Sequence, residues 1–108
     1  MVADTPEPPY VAVTFTARRT EVDAGYDESV TAMKARAAQQ PGYLGIESAT
    51  EPSGFEITVS YWRREADATA WKQVAEHLAA QQLGRSQWYE YYEVRVATVT
   101  RQYGHRVG

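Results

Sequence analysis

A strand that runs directly into a helix occupies the centre of the sequence, between Gly54 and Arg85. From Phe55 to Arg63 the residues alternate between two side-chain faces, as they do in a β-strand. From Glu65 to Leu83 apolar residues return at helical spacing, and acidic residues fill the first turn. The stretch therefore predicts one strand followed directly by one helix, and the other elements must be arranged around this pair.

Three further strands and one further helix are predicted on either side of this pair. The segment Tyr10 to Arg19 is rich in β-branched and aromatic residues, which favours a strand. A single apolar helical face predicts a helix from about Asp23 to Gln39, capped by Thr20 or Asp23. The other two strands are predicted at Tyr43–Thr50, which the turn Glu51-Pro52-Ser53-Gly54 joins to the central strand, and at Trp88–Tyr103.

The resulting order, β-α-β-β-α-β, predicts an α+β fold of the ferredoxin-like, split βαβ type with one antiparallel sheet. We expect residues 1–9 to form a flexible, proline-rich lead-in, residues 10–104 to form one domain and residues 105–108 to form a tail. Two helices cover only one face of such a sheet, and the last strand is longer than usual. A second copy of the chain is the simplest cover for the other face, so we expect a homodimer.

The composition of this 108-residue chain excludes several classes of function. It contains no cysteine, which excludes disulfides and thiolate metal sites, and its two histidines are too few for a multi-histidine metal site. We therefore predict no metal. A formal net charge of −3 argues against nucleic-acid and anionic-membrane partners. No secretion signal or long apolar run is present, so we expect a cytoplasmic protein that does not span a membrane.

Aromatic residues supply most of the candidate site. Eight Tyr and three Trp serve either packing and interfaces or a pocket for a flat, conjugated small molecule. Trp62 and Trp71 belong to the core or form a flat wall against such a ligand. Phe15 and Trp88 complete the predicted substrate-binding residues, while Tyr89 and Tyr91 are interpreted as interface residues.

Two charged or titratable residues are further candidates. Histidine changes charge near neutral pH, so His77 is either a border residue hydrogen-bonded to a neighbour or an acid or base for a phenolic substrate. Arg95 either forms an ion pair at an interface or holds a phenolate or carboxylate. Phosphate-binding glycine loops, zinc-protease helices and serine-nucleophile turns are absent, so any reaction uses few protein groups or a bound cofactor.

Several segments of the chain resemble the antibiotic biosynthesis monooxygenase (ABM) domain of the dimeric α+β barrel superfamily. They include QPGYLGIES, GFEITVSYW, EHLAAQ and GRSQWYEYYEVRVATV, and the resemblance extends from Tyr10 to Gly104. The chain is most similar to an uncharacterised bacterial subgroup. The resemblance implies a dimeric α+β barrel. It also implies one of several activities, because some members oxidise polycyclic phenols to quinones with dioxygen and no cofactor, and others bind and degrade haem.

The resemblance extends to individual positions. Trp71 matches the helix tryptophan of both the quinone-forming and the haem-degrading members. The iron-binding histidine of the haem-degrading members falls at Gln81 here, and their first-strand asparagine falls near Thr14, so haem is not favoured. The polar, proton-handling residue of the quinone-forming members falls at His77.

The resemblance therefore implies a monooxygenase that uses no cofactor and oxidises an electron-rich aromatic of phenol or hydroquinone type. His77 and Trp71 are its predicted catalytic residues. Phe15, Trp62 and Trp88, with Arg95, are its predicted substrate-binding residues. The alternatives are a haem-binding or haem-degrading protein and a non-catalytic dimeric domain that binds a ligand.

Overall fold

The computed structural model describes residues 2–80 and 87–107. Within these residues the predicted order of elements is confirmed. The bounds are β1 Tyr10–Arg19, α1 Tyr26–Ala38, β2 Tyr43–Thr50, β3 Phe55–Trp62, α2 Glu65–Ala80 and β4 Tyr89–Val99. No helix in the described ranges is long and apolar enough to cross a membrane.

The strands form one antiparallel sheet in the order β2-β3-β1-β4. β1 therefore lies in the interior of the sheet, between β3 and β4, which agrees with its apolar residues on both faces. The tight turn between β2 and β3 forms the predicted hairpin, with the Glu51 N–H donating to the Phe55 carbonyl over 2.8 Å. The predicted α+β, ferredoxin-like fold is confirmed.

The register of β1 decides which side chains face the helices. Val11 lies opposite Trp62 of β3, and Phe15 lies opposite Val94 of β4. Because neighbouring residues of a strand point to opposite faces, these side chains share the face on which α1 and α2 pack. We call it the helix face, and we call the other face, which contains Thr14 and Arg95, the open face.

Trp62 is the centre of the core on the helix face. Its side chain is fully buried, with 0% of its surface exposed, and packs with Val11 of β1, Ala37 of α1 and Ala68 of α2. Val13, Tyr43 and Trp71 surround this group. A buried tryptophan removes a large apolar area from water, so this one side chain joins both helices to the sheet.

The N-terminal residues that the sequence predicts as a lead-in lie against the open face. The Ala3 N–H donates to the Glu47 carboxylate over 2.7 Å, and the Gln102 amide donates to the Pro6 carbonyl over 3.0 Å. The Tyr10 hydroxyl also donates to the Gln102 side chain. These bonds connect the start of the chain with β2 and with the segment that follows β4.

The start of α1 differs from the prediction of a Thr20 or Asp23 cap. The N-cap residue is Gly25, which has a φ of 78° and makes no side-chain capping bond. The Asp23 carboxylate instead pairs with Arg19 over 2.9 Å, and the Thr20 hydroxyl donates to the Gln87 carbonyl. Both expected caps are therefore occupied elsewhere, and the left-handed backbone at this point favours glycine.

β4 is shorter than the predicted strand, because it ends at Val99 and not at Tyr103. Val99 pairs with Tyr10, the first residue of β1, so the chain beyond it has no strand to continue the ladder. Gln102 uses its side chain for hydrogen bonds to the N-terminal residues instead. The predicted end of α2 at Leu83 lies outside the described residues.

We expect Gly42→Ala to destabilise the fold by about 1–3 kcal/mol. Gly42 has a φ of 81°, and a Cβ at this position would lie 2.7 Å from the Cβ of Asp67 at the start of α2. Urea unfolding at one fixed protein concentration measures the change. Gly104→Ala is the matched control, because a Cβ there meets no atom within 4 Å. Equal stability of the two variants would contradict the expectation.

Candidate active site

The two predicted tryptophans at the junction of β3 and α2 are brought together. The rings of Trp62 and Trp71 stack at a centroid distance of 5.8 Å and an interplanar angle of 22°. The Trp62 indole N–H donates to the Ser60 hydroxyl over 2.9 Å, and neighbouring residues bury the whole ring. Trp71 is only half-buried, so it is the indole of this pair that a ligand can contact.

Phe15 lies in a second group of rings on the helix face. It stacks on Tyr92 at 5.4 Å and meets the edge of Tyr89 at 5.5 Å, while Tyr89 and Tyr92 are 6.1 Å apart. Tyr92 has 47% of its surface exposed. We call Phe15, Tyr89 and Tyr92 the aromatic cluster. It presents a partly exposed aromatic surface to a flat ligand.

A buried carboxylate lies beside the aromatic cluster. Glu56 of β3 has 6% of its surface exposed, and the Tyr26 hydroxyl donates to its two oxygens over 2.9 and 2.8 Å. The Arg19 guanidinium lies 3.3 Å from the centroid of the Tyr26 ring. Burial and hydrogen bonds to Tyr89 and Glu56 raise the pKa of Tyr26 far above its ordinary value, so its hydroxyl keeps its proton.

Tyr89 lies between the Tyr26 ring and the rest of the aromatic cluster. Its ring meets the edge of the Tyr26 ring at 6.1 Å. Burial is the largest cause of a raised pKa of Tyr89, and the charge of Arg19 acts in the opposite direction. We call Tyr26, Glu56, Tyr89 and Arg19 the Glu56 cluster. It places a buried, hydrogen-bonded carboxylate at one end of the helix face.

Trp88 packs behind the Glu56 cluster. Its indole N–H donates to the Ala24 carbonyl over 3.0 Å, and its ring meets the edge of Tyr26 at 5.7 Å. The side chain is buried. It therefore fastens the start of β4 to the loop before α1.

The other predicted site residues lie apart from these groups. His77 lies on an exposed part of α2, six residues after Trp71, which turns it about 240° around the helix. Arg95 pairs with Thr14, so it belongs to the open face, opposite the face that carries Phe15 and Trp62. Gln81 lies outside the described residues. The predicted set is therefore divided between two faces of the sheet.

Sequence reasoning missed the Glu56 cluster, although a signal was present. Glu56 has the same strand parity as Trp62, so an alternating β3 brings a carboxylate to the face that carries the tryptophan. Tyr26 begins the apolar stripe of α1, whose members recur at spacings of four, three and four residues. A charged residue aligned with a buried face indicates a hydrogen-bonded carboxylate.

The open face carries a groove. A groove of about 380 Å³ is lined by Val2, Glu47, Ser48, Ala49, Ile57 and Val59. The Tyr61 hydroxyl donates to Glu47 over 2.7 Å. This bond and the Ala3 N–H lower the pKa of Glu47, while burial and the carboxylate raise the pKa of Tyr61 to about 12. Among the described residues no group of three or more His, Cys, Asp or Glu side chains is arranged to hold a metal.

The sequence matches a family model described as antibiotic biosynthesis monooxygenase over residues 9–83. A relative from Bacillus subtilis, the uncharacterized protein YqjZ, is 50% identical over 101 residues, which is 94% of this chain and 89% of YqjZ.

Two solved structures show the same fold at low identity. SnoaB, a cofactor-independent oxygenase from Streptomyces nogalater, has a TM-score of 0.66 and 11% identity, covering 90% of this chain and 97% of SnoaB. PA3566 from Pseudomonas aeruginosa has a TM-score of 0.65 and 16% identity, covering 91% of this chain and 99% of PA3566.

We expect Glu47→Gln to destabilise the fold only where the carboxylate is ionised. A pKa lowered from its ordinary value of 4.5 contributes stability above that pH, and the contribution is lost as the pH falls below it. The difference in urea midpoint between the two proteins should be constant from neutral pH to about pH 5 and shrink below that range. Glu51→Gln, in the exposed turn, is the control. A difference that is independent of pH would contradict this account.

Proposed function

Because this chain belongs to the antibiotic biosynthesis monooxygenase family, we propose that it oxidises an electron-rich aromatic small molecule of phenol or hydroquinone type without a cofactor. The aromatic cluster on the helix face is the observation that carries the proposal. Phe15 and Tyr92 stack at 5.4 Å with an interplanar angle of 23°, and they provide a partly exposed surface for a flat ring. The fold likeness to SnoaB, a cofactor-independent oxygenase, supports the same reaction class.

The proposed reaction converts a phenol and dioxygen into a quinone and water. One oxygen atom enters the ring as the second quinone oxygen, and the other leaves as water with the phenolic and ring hydrogens. The electrons come from the substrate itself. The substrate has to lose protons before it can transfer these electrons to dioxygen. The protein's contribution is then to bind the ring, keep water away and accept protons.

The proposed roles follow the two aromatic groups. Trp71 and Phe15 contact the ring of the substrate, Trp62 supports Trp71 from beneath, and Trp88 holds one end of the site. His77 is the proposed acceptor of one proton, since its spacing from Trp71 matches the polar residue of the quinone-forming relatives. Arg95, on the open face, is proposed to form an ion pair between two copies of the chain.

Oxygen consumption against a panel of phenols and hydroquinones tests the function, with a haem titration alongside. We expect uptake to occur with added chelator and without added cofactor, and one quinone to form for each dioxygen consumed. His77→Ala should lower the turnover of the best substrate by at least about 100-fold, because a positioned base contributes about 10²–10⁴-fold.

His105→Ala, which changes the other histidine in the exposed C-terminal segment, is the matched control and should retain full activity. His77→Gln should not restore activity, because an amide forms hydrogen bonds but does not accept the proton. Parental rates in both His77 variants would exclude His77 from the reaction. Absence of oxygen uptake with every substrate would contradict the monooxygenase assignment itself.

We also propose that the protein is a homodimer that pairs through its open face. Ile57 and Tyr91 on the open face have 40% and 50% of their surfaces exposed. On the helix face β4 also exposes Tyr92, Val94 and Val96, at 47%, 46% and 54%. The helices pack against β1, β2 and β3, so the large exposed apolar side chains of the open face and of β4 are available to contact another chain.

Sedimentation at micromolar concentration should therefore give the mass of two 12.1 kDa chains. Tyr91→Lys should shift the equilibrium towards the monomer, because it places a charge in the contact. Thr69→Lys, on an exposed part of α2, is the control and should leave the dimer intact. A monomer at all concentrations would contradict the proposal.

A further inference from the structure

The groove on the open face combines an apolar lining with one acidic residue, Glu47. The Tyr61 hydroxyl and the Ala3 N–H donate to different oxygens of this carboxylate, over 2.7 Å in each case. A carboxylate offers about four lone-pair positions, so each oxygen can accept a further hydrogen bond. The groove therefore suits a side chain with an apolar stem and a cationic end.

Arg95 is a cation on the open face whose charge is not used within its own chain. Its side chain is exposed, and it forms no ion pair or side-chain hydrogen bond with any residue that the structure describes. Arg18, on the same face, differs because it donates to the Ser53 carbonyl over 3.2 Å. An arginine has an apolar stem and a planar guanidinium that binds a carboxylate through two parallel N–H bonds. Arg95 therefore has the shape and the charge that the groove suits.

The register of the sheet places Glu47 and Arg95 at opposite ends of one row across the open face. Val59 of β3 and Thr14 of β1 lie between them in this row. The row crosses all four strands, so its ends are about 14 Å apart at about 4.8 Å for each strand spacing. The acid on β2 and the base on β4 are therefore too far apart to pair within one chain.

A twofold axis along the strands, between β3 and β1, brings these ends together in two copies that meet through their open faces. Sheets that pack face to face commonly keep their strands within about 30° of each other, as this axis does. The rotation exchanges the two ends of a row, so Glu47 of each copy lies over Arg95 of the other. It also places Tyr61 over Ala12, a large side chain over a small one. An axis across the strands, through this row, would instead place like charges over one another.

We propose that the open-face groove of each chain receives Arg95 of a second copy, whose guanidinium binds Glu47. The stem of Arg95 lies on Ile57 and Val59, and its N–H groups use the free positions on the Glu47 oxygens. The pair forms twice, because a twofold interface repeats every contact. The occupant of the groove is thus a side chain of the same protein, and the two ion pairs determine how the copies are aligned.

This inference rests on the proposed homodimer and deepens it, because it names the residues that align the two copies. Hydrogen bonds to Glu47 lower the pKa of its carboxyl group, which keeps it ionised at neutral pH and ready to bind a cation. The inference is independent of the proposed oxidation, whose aromatic residues lie on the helix face.

Sedimentation equilibrium of charge-reversed variants tests the pairing through the dimer dissociation constant. Arg95→Glu should weaken the dimer by at least about 100-fold, because the symmetry twice places a carboxylate over Glu47. Adding Glu47→Arg in the same chain returns opposite charges to both pairs and should recover most of the affinity. Glu28→Arg, on an exposed part of α1, is the matched control. Added to Arg95→Glu, it restores the same net charge but should not recover the affinity.

The possible results separate this inference from the homodimer itself. A wild-type dimer with an Arg95→Glu variant of equal affinity would overturn the ion pair and leave the homodimer in place. Equal recovery by Glu28→Arg and Glu47→Arg would also overturn it, because net charge would then be the cause. A wild-type protein that is a monomer at all concentrations would contradict the homodimer and the inference together.

A milder pair of substitutions covers the case in which Glu47→Arg prevents folding. That change also removes the bonds from Ala3 and Tyr61, so circular dichroism has to show that the charge-exchanged variant is folded. If it is not, Glu47→Gln and Arg95→Gln are compared singly and together. Their effects on the free energy of dimerisation should be less than additive, because either change alone already removes the ion pair. Strictly additive effects would overturn the inference.

Discussion

The burial of one tryptophan side chain is the interaction on which the rest of the structure depends. Trp62 ends β3, and its ring packs against both helices and β1 at the same time. The residues that meet it on the helices are alanines, Ala37 and Ala68, so the helix backbones approach the ring closely. A large flat side chain against small ones fills space with few voids, and the helices are positioned by this fit.

The two ends of the helix face have opposite chemical character. Around Trp62 the core is apolar, and the indole N–H bonds within its own strand to Ser60. Around Glu56 the core is polar, and hydroxyl groups from α1 and β2 converge on one carboxylate. The first end gives rigidity through packing. The second preserves hydrogen-bonding groups in a place from which water is largely removed, where their interactions are stronger than at a surface.

The sequence was sufficient to predict the fold because its signals were local and periodic. The alternation in β3 and the four- and three-residue spacing after Tyr26 each depend on neighbours a few residues away. The predictions for the end of β4 and for the cap of α1 were wrong, because both features depend on partners that are distant in the sequence. Val99 ends the strand because β1 begins at Tyr10, and Asp23 is held away from the helix by Arg19.

The candidate site was harder to predict for the same reason. Trp62 and Trp71 are close in the chain, so the sequence alone indicates that they are neighbours, and their rings stack. Glu56, Tyr26 and Tyr89 come from three different elements, so only the register of the sheet makes them neighbours. That register also separates Arg95 from Phe15, since adjacent pairs in the ladder point to opposite faces.

The position of β1 has a consequence for the synthesis of the protein. β1 leaves the ribosome first, but its two partners are β3 and β4, and β4 is made last. The β2–β3 hairpin pairs neighbours in sequence and can form while translation continues. β1, by contrast, keeps the backbone edge that pairs with β4 unpaired until β4 has been made. During translation this strand therefore has an exposed edge, and exposed edges are where strands of different chains pair and aggregate.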